Sequence, residues 1–298
     1  MRPVTHWPRA DRPTPTVPMI AAPAKVAVFL IALTAIFGVA YLTGTQSSAL
    51  LAAPPVSAHD QHSSTFGGLS ATADGYTIRL PESSGSPGND QFVELQITGP
   101  DGRPVPDYTE TDGAPMHVIA VRQDLTGYQH VYPEQGDGAS WWAVLNLTPG
   151  PWRLISEFRP AALGQAVALG ADLTISGDYR PRPLPEVSER DRVDGYVATL
   201  SQPLTTSSSS PTVVTLSTKG RPVTDLTRAH GSLGHGVLIR PTDLGYWHLH
   251  ADPGDETYRG PDISFTGGPP EPGTYRMFTE FTRGEASHVA EFTVVVTS

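Results

Sequence analysis

The chain has 298 residues, a formal net charge of −10 and no cysteine. The absence of cysteine excludes disulfide bonds, thiolate metal sites and cysteine nucleophiles. Residues 1–25 carry a net charge of +3, which leaves −13 on the remainder of the chain. An acidic body without a basic stripe argues against DNA or RNA as a partner, and it fits solubility or the attraction of cations.

The N-terminal part contains one candidate membrane segment. Residues 26–43 read VAVFLIALTAIFGVAYLT, eighteen residues without a charge, which is about the minimum that crosses a hydrocarbon core of about 30 Å as a helix. Four basic side chains and one acidic side chain precede this segment, so the positive-inside bias places the N-terminus in the cytoplasm. We predict a single-pass protein of the cell membrane, with its C-terminal domains outside the cytoplasm.

We divide this part into a disordered cytoplasmic tail (1–24), a transmembrane helix (25–43) and a linker (44–65), because the flanking stretches contain too little apolar surface to pack. Val56-Ser57-Ala58 has the small-residue spacing of a signal-peptidase site, but it lies well past the apolar run. We therefore favour an uncleaved anchor. Cleavage after Ala58 would expose His59, whose free amine and imidazole together chelate Cu(II).

The rest of the chain contains two copies of one pattern, 118 residues apart. Each copy is about 100 residues long, which is enough for a domain rather than a solenoid repeat. We predict two domains, at 66–178 and 193–298, joined by a semi-rigid connector at 179–192. The matching anchors are Gly102-Arg-Pro-Val with Gly220-Arg-Pro-Val, His117 with His235, Arg122 with Arg240, and His130 with His248.

Inside each copy the apolar runs are short, rich in β-branched and aromatic residues, and bounded by Gly and Pro. This pattern predicts strands rather than helices. We expect an all-β ectodomain of two tandem immunoglobulin-like or cupredoxin-like β-sandwiches that stand as separate beads. In the first copy the predicted strands are YTIRL (76–80), FVELQI (92–97), HVIAVR (117–122), WWAVLNL (141–147), WRLISEF (152–158) and VALGADLTI (167–175).

Two sets of charged residues recur in both copies. Arg153 and Glu157 share one face of a predicted strand, as do Arg276 and Glu280 in the second copy, and we interpret these four as a solvated outer face. A second recurrent set follows the central histidine strand of each copy. We expect its members, Arg122 with Asp124 and Arg240 with Asp243, to form ion pairs that stabilise hairpin turns.

The repeated histidines are the candidate metal ligands. His248 and His250 lie two residues apart on a predicted strand, so their side chains share one face with Cα atoms about 6.5 to 7 Å apart. Two imidazoles at that spacing can share one metal ion. His235 completes the set from across a hairpin if the strand register places it on the same face. His117 and His130 form the equivalent pair of the first copy.

A structural role explains the recurrence of these histidines equally well. His117 shares strand parity with two apolar residues at 119 and 121, and His235 does so with those at 237 and 239. Histidines on such a face are commonly buried and hydrogen-bonded in the core. The metal-ligand and core-group interpretations both stay open at this point.

The sequence contains no catalytic motif. It lacks a Gly-x-Ser-x-Gly elbow, a Gly-rich phosphate loop, a His-Glu-x-x-His helix and an EF-hand loop. We therefore predict that the protein is not an enzyme and that it uses no organic cofactor.

The segment from His117 to Pro133 and its counterpart from His235 to His250 resemble a poorly characterised family of exported proteins of high-GC Gram-positive bacteria. Members carry the motif H-L-V-x-x-R-x-D-L-x-x-x-x-H-V-H-P, followed by P-G-x-Y-R-x-F. The resemblance covers both copies and implies extracytoplasmic β-domains with a role in heavy-metal or copper handling. This chain departs from the motif at Tyr132, which replaces the last histidine, at Asp243, which comes one position late, and at Ala251, which replaces the proline.

We therefore predict a membrane-anchored extracytoplasmic protein that binds or buffers copper or zinc through His235, His248 and His250, with His117 and His130 as further candidates. The membrane and a metal ion are its expected partners, and the sequence identifies no envelope protein partner. The alternative is a non-metal structural or protein-interaction module of the cell envelope, in which the histidines are core groups. A metal-dependent enzyme is the third and least favoured alternative.

Overall fold

The computed structural model describes Thr34 and residues 65–201, 204–206, 211–252 and 255–298, except for the side chain of His250. Apart from Thr34 and Thr65, the predicted tail, transmembrane helix and linker, with Ala58 and His59, lie outside the described residues. Within those residues, no helix is long and apolar enough to span a membrane. Residues Gln61–Ser298 form one compact unit that contains both copies of the repeat.

The first repeat is a β-sandwich of two sheets. One sheet has the order β1-β2-β4-β9-β8, and the other has the order β3-β11-β10-β6-β7, with β5 pairing to one end of β10. Every pairing is antiparallel except the parallel β3–β11 pair. The strands are β1 (Thr72–Ala73), β2 (Tyr76–Arg79), β3 (Ser84–Gly85), β4 (Gly88–Thr98), β5 (Tyr108–Thr109), β6 (Met116–Arg122), β7 (Gln129–Val131), β8 (Glu134–Gln135), β9 (Ser140–Leu147), β10 (Gly150–Pro160) and β11 (Val167–Ile175).

The second repeat is one continuous sheet that folds over its own core. Its order is β12-β13-β14-β18-β17-β16-β19-β20, with β15 on β14. The two halves of this sheet join where the end of β17 pairs with β18. The strands are β12 (Arg190–Val193), β13 (Tyr196–Leu200), β14 (Thr212–Thr218), β15 (Arg221–Pro222), β16 (Gly234–Ile239), β17 (Tyr246–Ala251), β18 (Asp262–Thr266), β19 (Gly273–Arg283) and β20 (Ala286–Val296).

The all-β prediction is confirmed for the part of residues 65–298 that the structure describes, and each of the six predicted strands of the first repeat coincides with a long observed strand. Where one face of a strand meets solvent, buried and exposed residues alternate. Strand β9, for example, buries Trp141, Ala143, Leu145 and Leu147 and turns the residues between them outward. Such a period of two fits one face of a sheet to an apolar core.

The expectation of two separate beads is wrong, because a third core lies between the repeats. Strands β6 and β10 bury Ile119, Val121 and Ile155 on the face that points away from their own sandwich, and these residues pack against Val237 and Phe278 of the second repeat. Tyr128 and Phe278 stack with ring centroids 4.1 Å apart. Both faces of these strands are therefore apolar, and the second repeat covers the face that water would otherwise reach.

The interpretation of the recurrent charged set as a solvated outer face is also wrong. Glu157 and Glu280 lie on the face that packs against the other repeat, with side chains 13% and 17% exposed. Arg276 is 8% exposed and forms an ion pair with Glu291. A strand that is buried on both faces leaves no solvated side, so these carboxylates need partners across the interface.

The segment just before β1 links the two repeats through the backbone. Gly67 exchanges two hydrogen bonds of 3.0 Å with Tyr246 on β17, and Gly68 donates one of 2.9 Å to Ala168 on β11. A Cβ atom on Gly67 would lie 2.5 Å from the side chain of Ala168, so only glycine fits here.

The predicted ion pairs at the hairpin turns are confirmed. Arg122 binds Asp124 with a closest N–O distance of 2.8 Å, and Arg240 binds Asp243 at 2.5 Å. Each aspartate also caps its own turn, because Asp124 accepts hydrogen bonds from Thr126 and Asp243 accepts one from the backbone of Gly245.

Candidate metal centre between the repeats

The four repeated histidines meet at the interface between the repeats. His117 lies on β6, His130 on β7, His235 on β16 and His248 on β17. The centroids of neighbouring rings are 5.1 to 6.3 Å apart. His117 and His235 are 3% and 5% exposed, as expected for histidines on an apolar face. The cluster thus draws on both repeats, whereas the sequence pointed to a site within the second repeat.

The strand register places His235 and His248 on one face. Val237 lies directly opposite His248 in the β16–β17 pair, and His235 shares the face of Val237 because it lies two residues away on the same strand. The sequence left the relative faces of these two histidines open, and the observed register puts them on the same face. His250 follows on β17, opposite Thr266, but its side chain lies outside the part of the chain that the structure describes.

His117 and His130 form a closed hydrogen-bonded chain, which we call the closed half. The Nε2–H of His117 donates to the carbonyl oxygen of Thr111 at 2.7 Å, so its Nδ1 is the acceptor in the 2.9 Å bond with His130 Nε2. His130 Nδ1 lies 3.0 Å from Glu280 Oε2. Both nitrogens of His130 therefore have a partner, and the hydrogen-bonded chain runs from Thr111 to Glu280 without a gap.

Electrostatics support this assignment of protons. Burial and the nearby charge of His130 lower the pKa of His117 to about 4, which keeps His117 neutral. Burial opposes ionisation of Glu280, but the hydrogen bond and charge of His130 outweigh it and hold the pKa of Glu280 below its usual value. In the closed half His117 is thus a neutral imidazole, and each ring nitrogen already has a partner.

The equivalent groups of the other repeat form a second cross-repeat pair. His248 Nδ1 lies 3.3 Å from Glu157 Oε2, and the hydroxyl of Tyr246 donates to the same oxygen. Burial opposes both charges, but the mutual attraction outweighs it, so the pKa of Glu157 is lowered and that of His248 is raised. A carboxylate on Nδ1 fixes the orientation of an imidazole whose Nε2 is then the coordinating nitrogen.

Asp112, His235 and His248 form the other half of the cluster, which we call the open half. One oxygen of Asp112 and one nitrogen of each histidine all lie within 4.8 Å of one another. The two rings have centroids 6.1 Å apart, compared with 5.2 Å in the closed half, where the nitrogens bond directly. The wider spacing leaves three donor atoms close together without a direct bond between the two rings. Two imidazoles and a carboxylate are a ligand set that suits a zinc or copper ion.

Asp112 reaches this point from the tip of a tight turn. Asp112 and Gly113 have φ of 47° and 74°, and Thr111 and Ala114 exchange two backbone hydrogen bonds around them. This is the turn that an Asp-Gly pair favours. Oδ2 of Asp112 is buried and accepts no hydrogen bond from any described residue. A buried carboxylate oxygen without a donor calls for a bound water or an ion.

His235 is held neutral. Burial, followed by the charges of His130 and His248, lowers the pKa of His235 to about 2. The hydroxyl of Tyr132 lies 3.4 Å from its Nε2. A neutral imidazole is the form that coordinates a metal ion, so this ligand needs no deprotonation step.

Sequence reasoning missed Asp112, Glu157 and Glu280. The two glutamates recur at the same position of both repeats, which was a usable signal. Because we assumed separate domains, we interpreted them as solvent-exposed. Asp112 gave no such signal, because its counterpart 118 residues later is His230. Only the packing of one repeat on the other brings Asp112 to the histidines of the second repeat.

Comparisons with solved structures give remote similarities only. An Escherichia coli adhesin, FdeC, is 14% identical over 76% of this chain, with a TM-score of 0.26, and the chain spans 65% of it. A Salmonella alpha-2-macroglobulin mutant is 14% identical over 83% of this chain, with a TM-score of 0.26, and the chain spans 16% of it. Fibronectin(III)-like modules of Clostridium thermocellum CbhA are 8% identical over 74% of this chain and 92% of theirs, with a TM-score of 0.19.

A search of curated proteins finds no match. The model of one protein family, however, matches the chain twice, at residues 71–176 and 191–298. These two regions are the two repeats, so the tandem duplication is confirmed, and together they make up most of the sequence. The chain therefore belongs to the family described as Domain of unknown function (DUF8832), of which it carries two copies.

Proposed function

We propose that the protein captures and buffers one copper or zinc ion per chain at Asp112, His235 and His248. The observation that carries this proposal is the convergence of three donor atoms within 4.8 Å, one of which is a buried carboxylate oxygen without a hydrogen-bond donor among the described residues. Two imidazoles and one carboxylate suit zinc or Cu(II) and do not suit calcium or magnesium, which prefer oxygen alone.

Two further features support one ion rather than two. Glu157, which itself accepts a hydrogen bond from the hydroxyl of Tyr246, orients the ring of His248, as a carboxylate commonly does for a metal-ligating histidine. In the closed half, by contrast, the proton between His130 Nε2 and His117 Nδ1 occupies the line along which an ion would bind. The duplicated chain therefore offers one metal site and one proton-bridged counterpart of it.

Capture fits the geometry better than turnover does. Two surface grooves of about 520 and 210 Å³ lie elsewhere, lined by residues such as Phe92 and Trp142 in the first and Asp252 and Tyr258 in the second. The ligands of the open half line neither groove. Neither of these two grooves gives a second molecule a place beside the ligands, so we propose storage of an ion rather than turnover.

We further propose that the two repeats are immunoglobulin-like or cupredoxin-like domains carried outside the cytoplasm by an N-terminal membrane anchor. The apolar run at 26–43 and the basic residues before it support the anchor. The resemblance to exported proteins of high-GC Gram-positive bacteria supports the location and the metal.

Titration of the purified full-length protein with Zn²⁺ and Cu²⁺ tests the proposal. The starting protein carries His59→Ala and His62→Ala, so that the linker contributes no site. We expect one bound ion per chain by calorimetry and by elemental analysis. Asp112→Asn and His248→Ala should each weaken binding strongly, and His288→Ala is the matched control, because that ring packs against Tyr196 and Phe281 instead.

Either of two results would contradict the proposal. The first is that the starting protein binds no ion. The second is that binding survives both Asp112→Asn and His248→Ala. The histidines would then be core groups that hold the repeats together, and a structural or protein-interaction module of the cell envelope would be the better assignment.

A further inference from the structure

His230 lies at the outer rim of the metal centre, between the open half and solvent. It is exposed and occupies the tip of the turn Ala229–Ser232, whose ends exchange two backbone hydrogen bonds. His230 and Gly231 have φ of 50° and 82°. This turn is the second-repeat counterpart of the turn that carries Asp112 in the first repeat, so two equivalent turns face each other across the interface.

The two turns are in direct contact. A Cβ atom on Gly113 would lie 2.9 Å from Cβ of His230, so glycine is required next to Asp112 for this close approach. His230 stacks on Tyr132, with ring centroids 3.9 Å apart, and the hydroxyl of Tyr132 in turn lies 3.4 Å from Nε2 of His235. An exposed imidazole is thereby joined to a buried ligand through one aromatic ring.

The tautomer of His230 is set by the opposite turn. Its Nδ1–H donates to the carbonyl oxygen of Gly113 at 3.3 Å, so Nε2 carries the lone pair. A neutral imidazole with a defined acceptor nitrogen is a competent first ligand for a hydrated Zn²⁺ or Cu²⁺ ion. His230 does not belong to the converging set of Asp112, His235 and His248, so it is not needed to hold the ion at rest.

A buried site needs such a surface ligand. His235 is 5% exposed, and the side chain of His248 is 8% exposed, so a fully hydrated ion cannot reach either nitrogen directly. The ion must exchange its bound waters for coordinating atoms of the protein one at a time. A first donor at the rim turns the following steps into reactions within one complex, which raises the effective concentration of the remaining ligands.

We propose that His230 is the capture ligand of the metal centre. It takes Zn²⁺ or Cu²⁺ from solvent and passes the ion to Asp112, whose neighbour Gly113 contacts His230, and to His235, which His230 reaches through Tyr132. This inference rests on the proposed function, because it gives the path to a site that the proposed function assigns. Because His230 binds the ion only in transit and not in the final site, it speeds uptake and release of the ion equally.

Stopped-flow uptake of Zn²⁺ by the full-length protein, in the same His59→Ala and His62→Ala background, tests the path separately from the site. The variant is His230→Phe, which keeps an aromatic ring on Tyr132 and removes both nitrogens. We expect one ion per chain at equilibrium, as in the starting protein, with uptake and release about tenfold slower. His288→Phe, which alters a histidine on another face of the second repeat, should leave both rates unchanged.

The possible failures are distinguishable. Unchanged rates in His230→Phe overturn the capture role and leave the proposed function intact. Loss of the ion at equilibrium in His230→Phe would make His230 a resident ligand and would also overturn it. Absence of binding in the starting protein overturns the capture role and the proposed function together.

Discussion

Replacement of Glu157 by glutamine tests whether the cross-repeat pairs hold the two repeats together. Glu157 accepts a hydrogen bond from Tyr246 and forms an ion pair with His248. Its side chain is only 13% exposed. Glutamine keeps the shape and one acceptor oxygen but removes the charge. The buried imidazolium of His248 then loses its counter-ion, while the hydroxyl of Tyr246 keeps a neutral acceptor.

The expected cost follows from those two partners. A hydrogen bond to a charged group contributes about 1.5 to 3 kcal/mol, and removal of one partner of a buried ion pair costs about 3 to 5 kcal/mol. Because glutamine retains part of the hydrogen bonding, we expect a loss of about 3 kcal/mol. For a folded unit of this size that is a fall in Tm of about 6 to 12 °C.

Urea and thermal unfolding of the protein in excess chelator measure this loss without any contribution from metal. Glu134→Gln on β8 is the matched control, because that carboxylate is exposed and the same substitution there should change stability by under about 0.5 kcal/mol. Equal unfolding midpoints for Glu157→Gln and Glu134→Gln would refute the reasoning, since a buried pair that held the repeats together could not be neutralised without cost.

Three further predictions concern the interface and the turns. Phe278→Ala should cost about 3 to 5 kcal/mol in urea unfolding, because Phe278 is fully buried between the repeats, whereas Phe92→Ala, at a side chain 73% exposed, should cost little; similar costs would contradict the shared core. Asp124→Asn should destabilise the protein at neutral pH. Burial raises the pKa of Asp124, but the hydrogen bonds that its carboxylate accepts from Arg122 and Thr126 outweigh this effect and lower the pKa. A lowered pKa stabilises the fold above the unfolded value of about 3.9 and loses that effect as pH falls, so the difference between wild type and variant must shrink in acid. Gly170→Ala should lower Tm sharply, because its Cβ would lie 1.9 Å from the carbonyl oxygen of Gly68, and a variant that melts normally would show that this segment is not held against β11.

The strands were predictable from the sequence because each obeys a local rule. Short β-branched runs with turn residues at their ends sufficed to find β6, β9 and β10, and the recurrence of Arg122 and Asp124 sufficed to find the turn pair. These features depend on residues close together in the chain, where a period of two or a turn preference acts directly.

The docking of the repeats was not predictable in the same way. Ile119 and Val121 show an apolar outer face, but one sequence does not say whether a partner domain, a membrane or a second chain covers it. The proposed metal centre depends on that docking, because Asp112 and Glu157 belong to the first repeat and lie beside histidines of the second. Contacts between residues more than ninety positions apart leave no trace in local periodicity.

The core shared by the repeats also imposes an order of events on synthesis of the chain. The first repeat can close its own sandwich as soon as β11 is complete, but its second apolar face, with Ile119 and Ile155, has nothing to pack against until β16 and β19 exist. At about 5 to 20 residues per second, the wait for the remaining strands lasts about 5 to 20 s. During that interval the nascent chain exposes this apolar face to solvent and to other proteins. The proposed metal site is also incomplete, because His235 and His248 have not yet been synthesised. Under the proposed function, metal loading is thus confined to the finished chain.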